Sequence, residues 1–384
     1  MSRRLAPIAA VLAAAAGFAA PSGGSSPTML VGIYDEAHTL YGNPDYAFPI
    51  LEELRAQVLR VNLYWGGRFG AAKRKPFDGS DPADPAYDWE IYDRTVRYAS
   101  AHGIKVLFSV WGTPGWANRG RGLNRMPRDV DELSKFVYAA ATRYSGTYPG
   151  LDGNPLPPVR HWLAWNEPNN PIFLSPQYRR EGKKWVVQSA VDYTEICHAV
   201  HRGVHATLLA REKVACGATG PRGNNSPTST RPSVSPLAFL RALKNAGLRQ
   251  FDAYAHHPYY GSTRESPTTK PAAARGAPPT AVTLANIDDL IDELTHLFGP
   301  RRPLWITEYG YQTNPPDPAF GVSWARQARY LAQAFALARR NPRIDMMLWF
   351  MFQDEPILSG WQSGLMTASG ERKPSFSAFR RLPH

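Results

Sequence analysis

Eight short apolar runs recur along this 384-residue chain, and each is followed by a stretch with helical spacing. The runs fall at 29–34, 58–65, 105–111, 159–165, 214–218, 251–259, 303–308 and 346–350. Near-continuous apolar strands of this kind are buried on both faces, as in a parallel sheet covered by helices. Between them, Trp89, Tyr92, Val96 and Ala99 stand three and four residues apart, on one face of a helix. Ile287, Leu290, Ile291 and Leu294 do the same, as do Trp324, Ala328, Leu331, Phe335 and Ala338. His102-Gly103 and Gly299-Pro300 supply stop signals for two of these helices. Eight strand–helix units make a single (β/α)8 barrel of the TIM type, an α/β fold with long βα loops. A doubly wound open sheet fits less well, because no glycine-rich phosphate loop follows the first strand.

No change of composition divides residues 27–384, so one domain is expected there. Charged residues make up only 20% against 43% hydrophobic, which argues against disorder. Residues 1–26 read as a signal peptide and leader: Met1-Ser2-Arg3-Arg4, an alanine-rich apolar run, then Pro21-Ser22-Gly23-Gly24. The expectation is export, to the medium or the cell envelope, with no membrane span after cleavage. The net charge of +12 is not gathered on one helix face, and no nucleic-acid-binding motif accompanies it. It fits a solvated basic surface or a preference for acidic polymers. Lys73-Arg74-Lys75, Arg264, Lys270 and Arg275 fall in loops and are either a cationic rim or freely solvated. Cys197 and Cys216 leave two readings open, one disulfide or two buried thiols, and no Cys/His spacing suggests zinc. Asp78, Asp81, Asp84 and Asp88 do not follow a calcium-loop spacing; Pro82 and Pro85 favour a turn leading to a helix cap at Asp88. Neither a metal nor a cofactor is expected.

Two of the strand-like runs end in glutamate. Trp162-Leu163-Ala164-Trp165-Asn166-Glu167-Pro168 is the fourth, and Leu304-Trp305-Ile306-Thr307-Glu308-Tyr309 is the seventh. A carboxylate at the end of a buried strand is costly unless its charge is compensated or it stays protonated, and such a cost marks chemistry. In an eight-stranded barrel the fourth and seventh strands lie nearly opposite each other, so Glu167 and Glu308 would face one another across the mouth. A carboxyl pair of this kind is what glycoside hydrolysis requires. About 12% aromatic residues raise the expectation of sugar binding, since aromatic faces stack on sugar rings. Trp111, Trp116, Tyr260, Tyr311 and Trp361 are candidates for such stacking, with packing an equal alternative for each. Asp35, Glu36, Asp354 and Glu355 also stand at strand exits and are candidates for hydroxyl binding.

Trp165-Asn166-Glu167-Pro168-Asn169, Ile306-Thr307-Glu308-Tyr309-Gly310 and Val58-Leu59-Arg60-Val61 resemble the strand-end signatures of glycoside hydrolase clan A. The texture is similar to the cellulase-type family 5 and the xylosidase-type family 39. The resemblance implies a retaining (β/α)8 hydrolase of β-linked oligo- or polysaccharide, with Glu167 as acid/base and Glu308 as nucleophile. An α-L-arabinofuranosidase or other exo-acting relative is the nearest alternative, and a carbohydrate-binding barrel without turnover is another. It further implies that Asn166 contacts the sugar 2-hydroxyl and that Arg60 holds Glu308 charged. The Tyr259 hydroxyl of His257-Pro258-Tyr259 would contact the nucleophile, and Trp349 would floor the reactive ring. Trp162 and Trp165 would raise the pKa of Glu167. Arg60, Asn166, His257, Tyr259, Trp349 and Trp111 are thus the expected substrate-binding residues, with packing alone the alternative for His257. The stretch Met351-Phe352-Gln353-Asp354-Glu355-Pro356 departs from both families' pattern.

Overall fold

A computed structural model describes residue 26, residues 28–272 and residues 280–384. The expected signal peptide and Arg275 lie outside the described residues. Eight parallel strands close into a barrel: β1 (Leu30–Tyr34), β2 (Val58–Tyr64), β3 (Lys105–Trp111), β4 (His161–Ala164), β5 (Lys213–Thr219), β6 (Ala253–His256), β7 (Leu304–Ile306) and β8 (Ile344–Phe350). Each strand pairs with its neighbours in sequence, and β1 closes the ring on β8 from Leu30↔Met346 to Tyr34↔Phe350. The principal covering helices are Pro44–Glu53, Glu90–Ala101, Val130–Arg143, Gln188–His205, Pro236–Asn245, Ile287–Phe298, Trp324–Arg339 and Pro374–Arg380. The (β/α)8 expectation is met. A small exposed hairpin, Arg179–Glu181 with Lys184–Val186, went unread in the sequence because its charged strands carry no apolar alternation.

Side chains sort by strand parity into two apolar layers. Val58, Leu107, Leu163, Ala215, Ala253, Ala255, Trp305, Met346 and Leu348 fill the barrel interior, small residues on β5 and β6 offsetting large ones on β7 and β8. Alternate residues, such as Leu59, Val61, Phe108, Trp162, Ile306, Met347 and Trp349, pack between strands and helices. The helix stripes read from sequence supply the other side of this layer, with Tyr92, Val96, Ala99, Leu290 and Leu294 all buried. Gly103 stands just past the first of these helices at φ +69°, the left-handed conformation that a helix stop favours. The cap at that helix's start is Trp89 rather than Asp88, whose carboxylate only reaches the amide of Glu90 at 3.4 Å.

Cys197 and Cys216 form a disulfide, with Cα atoms 5.9 Å apart, joining the helix Gln188–His205 to β5. No helix among the described residues is long and apolar enough to cross a membrane. Packing is tight at Gly32 of β1, where an added Cβ would stand 2.0 Å from the Val58 carbonyl oxygen and 2.7 Å from Leu348. A backbone oxygen of a paired strand cannot move aside as a side-chain tip can. Gly32→Ala is therefore expected to lower the unfolding free energy by roughly 2–3 kcal/mol, the upper range for overpacking, as measured by chemical denaturation.

Candidate active site

At the C-terminal mouth of the barrel, Glu167 follows β4 and Glu308 follows β7, as their sequence positions required. Asn166 and Glu167 are consecutive, so a regular strand would send them to opposite faces. The backbone avoids this with positive φ at Trp165 (+66°) and Glu167 (+35°), and both side chains line one cavity. Non-glycine residues held in this conformation are strained, and such strain persists where the surroundings enforce it. Here the enforcement comes partly from Asn169, which is fully buried. Its Oδ1 accepts from the Gly220 amide at 2.8 Å, and its Nδ2 donates to the carbonyls of Gly220 and Val234. Gly220, held in this way, lies against the Glu167 carboxyl: an added Cβ would stand 2.9 Å from Cδ and Oε2.

Beneath the two glutamates lie Arg60 and His257, both with fully buried side chains, whereas Glu167 and Glu308 keep 14% and 13% of theirs exposed. Only the glutamates of these four reach the cavity. Arg60 donates through Nη1 to Glu308 Oε2 at 3.1 Å and to the Thr307 carbonyl at 3.1 Å, and through Nη2 to Asn166 Oδ1 at 2.6 Å. Its guanidinium lies over the Tyr34 ring, 4.2 Å from the centroid. An arginine has no acceptor, so His257 Nε2, 3.2 Å from Arg60 Nη1, must be unprotonated and the ring proton sits on Nδ1. From there Nδ1–H donates to Glu167 Oε1 at 3.1 Å and stands 3.7 Å from Glu308 Oε2. One nitrogen thus touches both carboxylates, so the separation of those two oxygens cannot exceed the sum of these distances, well under a nanometre. Tyr259 completes the ring of contacts by donating to Glu308 Oε1 at 2.9 Å.

Electrostatics separate the members of this cluster. Burial raises the pKa of Glu167; the amide of Asn170, donating to Oε2 at 3.2 Å, and the charge of Arg60 offset part of that rise. Burial also pushes the His257 imidazole down to about 3, with Glu308 opposing and Arg60 reinforcing, so the ring is neutral at ordinary pH. On the β1–β2 side, Glu36 is lifted to about 7, chiefly by burial, while accepting from the Asn62 amide at 2.6 Å and the Tyr64 hydroxyl at 2.9 Å.

Several expected contacts are corrected by the geometry. Arg60 and His257 have no surface open to the cavity and contact the glutamates from beneath it. Trp349 faces the helix layer with no exposure and donates to the Ser363 carbonyl at 2.9 Å. The inward residue at the top of β8 is Phe350, packed between Tyr34 and Trp361. Trp162 and Trp165 are fully buried, and burial is the chief cause of the raised pKa of Glu167. Trp111 does sit inward on β3, edge-on to Tyr64 and near Trp165, but outside the residues lining the cavity. Tyr311 is fully buried, and Asp354 is a buried ion-pair partner of Lys373. The aromatic lining of the roughly 440 Å³ cavity comes from Phe173, Tyr259, Tyr260, Phe320 and Trp361. Asn170 and Gly220 had no signal in the sequence beyond closeness to the glutamate motif or to a strand end.

A closed parallel barrel with a carboxyl pair at the ends of its fourth and seventh strands is the architecture of the clan A glycosidases that the strand-end motifs resemble. Residues 281–379, which include Glu308 but not Glu167, match the family described as glycosyl hydrolase catalytic core. Among solved structures, a family 39 glycoside hydrolase from the gut symbiont Bacteroides cellulosilyticus is similar at 19% identity and a TM-score of 0.60, over 93% of this chain and 63% of that one. A glucosidase from Croceicoccus marinus is similar at 15% identity and a TM-score of 0.65, over 93% and 66%. A monomeric beta-xylosidase from Caulobacter crescentus is similar at 18% identity and a TM-score of 0.56, over 92% and 68%. The chain thus spans less than two thirds of the length of the family 39 hydrolase, and at these identities the likeness is one of fold. No curated protein sequence matches the chain.

If the Asn170 bond favours the ionised form of Glu167, removing it raises that pKa further. Asn170→Ala should then move the alkaline limb of the kcat/KM profile on an aryl β-glycoside to higher pH while leaving the acid limb in place. An unmoved alkaline limb would detach that limb from Glu167.

Proposed function

We propose that the protein is a glycoside hydrolase that cleaves β-linked oligo- or polysaccharide by double displacement, with retention at the anomeric carbon. The observation that carries this reading is the single His257 nitrogen within 3.1 Å of Glu167 and 3.7 Å of Glu308. Carboxyls about 5–5.5 Å apart suit a covalent intermediate, whereas gaps of roughly 6.5–9.5 Å admit a water for inversion. The cap set by the shared nitrogen favours the close arrangement. The family match over residues 281–379 supports glycosidase chemistry, and neighbours described as a beta-xylosidase and beta-1,4-galactanases support a β-linked substrate.

In the first step Glu308 Oε attacks the anomeric carbon as the glycosidic bond breaks, and Glu167 gives its proton to the departing oxygen. Burial raises the pKa of Glu167 and so favours the protonated form that this step uses. Arg60 and Tyr259 orient Glu308 by donating to its two oxygens. In the second step Glu167, now a carboxylate, removes a proton from water, which attacks the anomeric carbon and releases Glu308. Because Arg60 takes the Asn166 carbonyl oxygen, the amide NH2 is the group that Asn166 offers to a sugar hydroxyl. The leader at residues 1–26 supports export before the enzyme meets its polymer.

Glu308→Ala should abolish turnover, and added azide should restore part of it with an α-glycosyl azide as product. Glu167→Ala should slow substrates with poor leaving groups by about 10²–10⁴-fold while sparing those that depart without a proton. Equal loss on both kinds of substrate would count against the acid assignment, and no hydrolysis of any aryl β-glycoside by the parent protein would favour a binding barrel.

A further inference from the structure

We propose that His201, His205 and Asp252 form a site for a divalent transition-metal ion of the zinc class, at the barrel base opposite the glutamates. His201 and His205 are one turn apart on the helix Gln188–His205, so both rings leave the same face, with centroids 4.2 Å apart. Asp252 stands immediately before β6 and meets that face. Its Oδ2 lies 2.8 Å from His205 Nε2 and 3.9 Å from His201 Nε2, and one ligand atom from each of the three residues lies within 4.8 Å of the others. A tetrahedral zinc ion with ligands at 2.0–2.1 Å needs donor atoms about 3.3 Å apart, a spacing these distances bracket.

The chemistry of the donors narrows the ion. Two imidazoles and one carboxylate suit zinc and its neighbours, whereas calcium and magnesium require oxygen ligands. The carboxylate is already fixed from behind, because the Val214 amide donates to Oδ2 at 2.8 Å, the kind of outer bond that orients a metal ligand. The three side chains keep 19%, 34% and 30% of their surface exposed, which leaves a path for an ion and room for water as a fourth ligand. Nearby, Glu212 is buried and ion-paired through Oε1 with Arg160, so its charge is already matched. Cys197, one turn before His201 on the same helix, is joined to β5. Bound metal would therefore tie the end of this helix to β6, next to the covalent tie to β5. His201 and His205 stand four apart in the sequence, but the third ligand comes from a different element, 47 residues beyond His205, which no local spacing reveals.

The test uses the full-length, tag-free, metal-stripped protein with its disulfide intact, so that thiolates cannot bind the ion. Zn²⁺ is titrated against a chromophoric chelator, and thermal unfolding is followed with Zn²⁺ and with EDTA. One ion per chain is expected, with a rise in Tm that EDTA reverses and no such rise with Mg²⁺. His201→Ala, at a part-exposed helix position, should fold normally and bind at least about tenfold more weakly, the least that disturbing even an outer-shell partner costs. Asp252→Asn should do the same, with circular dichroism checking its fold. Absence of stoichiometric zinc, or undiminished binding in His201→Ala, would overturn the proposal whether or not the protein is a glycosidase.

Discussion

A buried guanidinium organises the mouth of this barrel. Arg60 has no solvent exposure, so its charge must be balanced inside the protein, and an unpaired charge there would be strongly destabilising. Its partners are Glu308, the Thr307 carbonyl, Asn166 and the nitrogen of His257. These groups come from the exits of β4, β6 and β7, so one side chain from β2 spans the barrel and ties three strand ends to its own strand. The position of each glutamate follows from that arrangement: Glu308 directly, and Glu167 through the His257 ring.

The same arrangement separates two residues of identical chemistry. Glu308 faces a permanent cation and a tyrosine hydroxyl. Glu167 faces a neutral imidazole and an asparagine amide, and its pKa is raised by burial. His257 is central to this division. Were it charged, it would favour ionised carboxylates on both sides; burial beside Arg60 keeps it neutral. The strained backbone at Trp165 and Glu167 belongs to the same design, since it turns two consecutive residues into one cavity. Asn169 and Gly220 hold that conformation from the neighbouring strand exit.

Much of this was legible in the chain. Long apolar runs separated by helical stripes determine a closed parallel barrel, and a glutamate at the exit of such a run has few structural reasons to be there. The facing of individual side chains was less legible. Strands apolar on both faces lack a period-two signal, so nothing in Met347-Leu348-Trp349-Phe350 says which parity points inward, and Phe350 takes the inward place expected of Trp349. The Arg60 and His257 contacts depend on which charges are covered, which is a property of the assembled mouth. Asn170 and the trio His201, His205 and Asp252 depend on turns of chain whose direction no local pattern encodes.

The central claim is that Glu167 and Glu308 act on one sugar from opposite sides, with one of them bonding to it. Proton NMR of the first anomer released from an aryl β-glycoside, recorded before mutarotation, tests this most directly. The account predicts that the β-anomer forms first; initial release of the α-anomer would show that water attacks directly and that Glu308 is not a nucleophile.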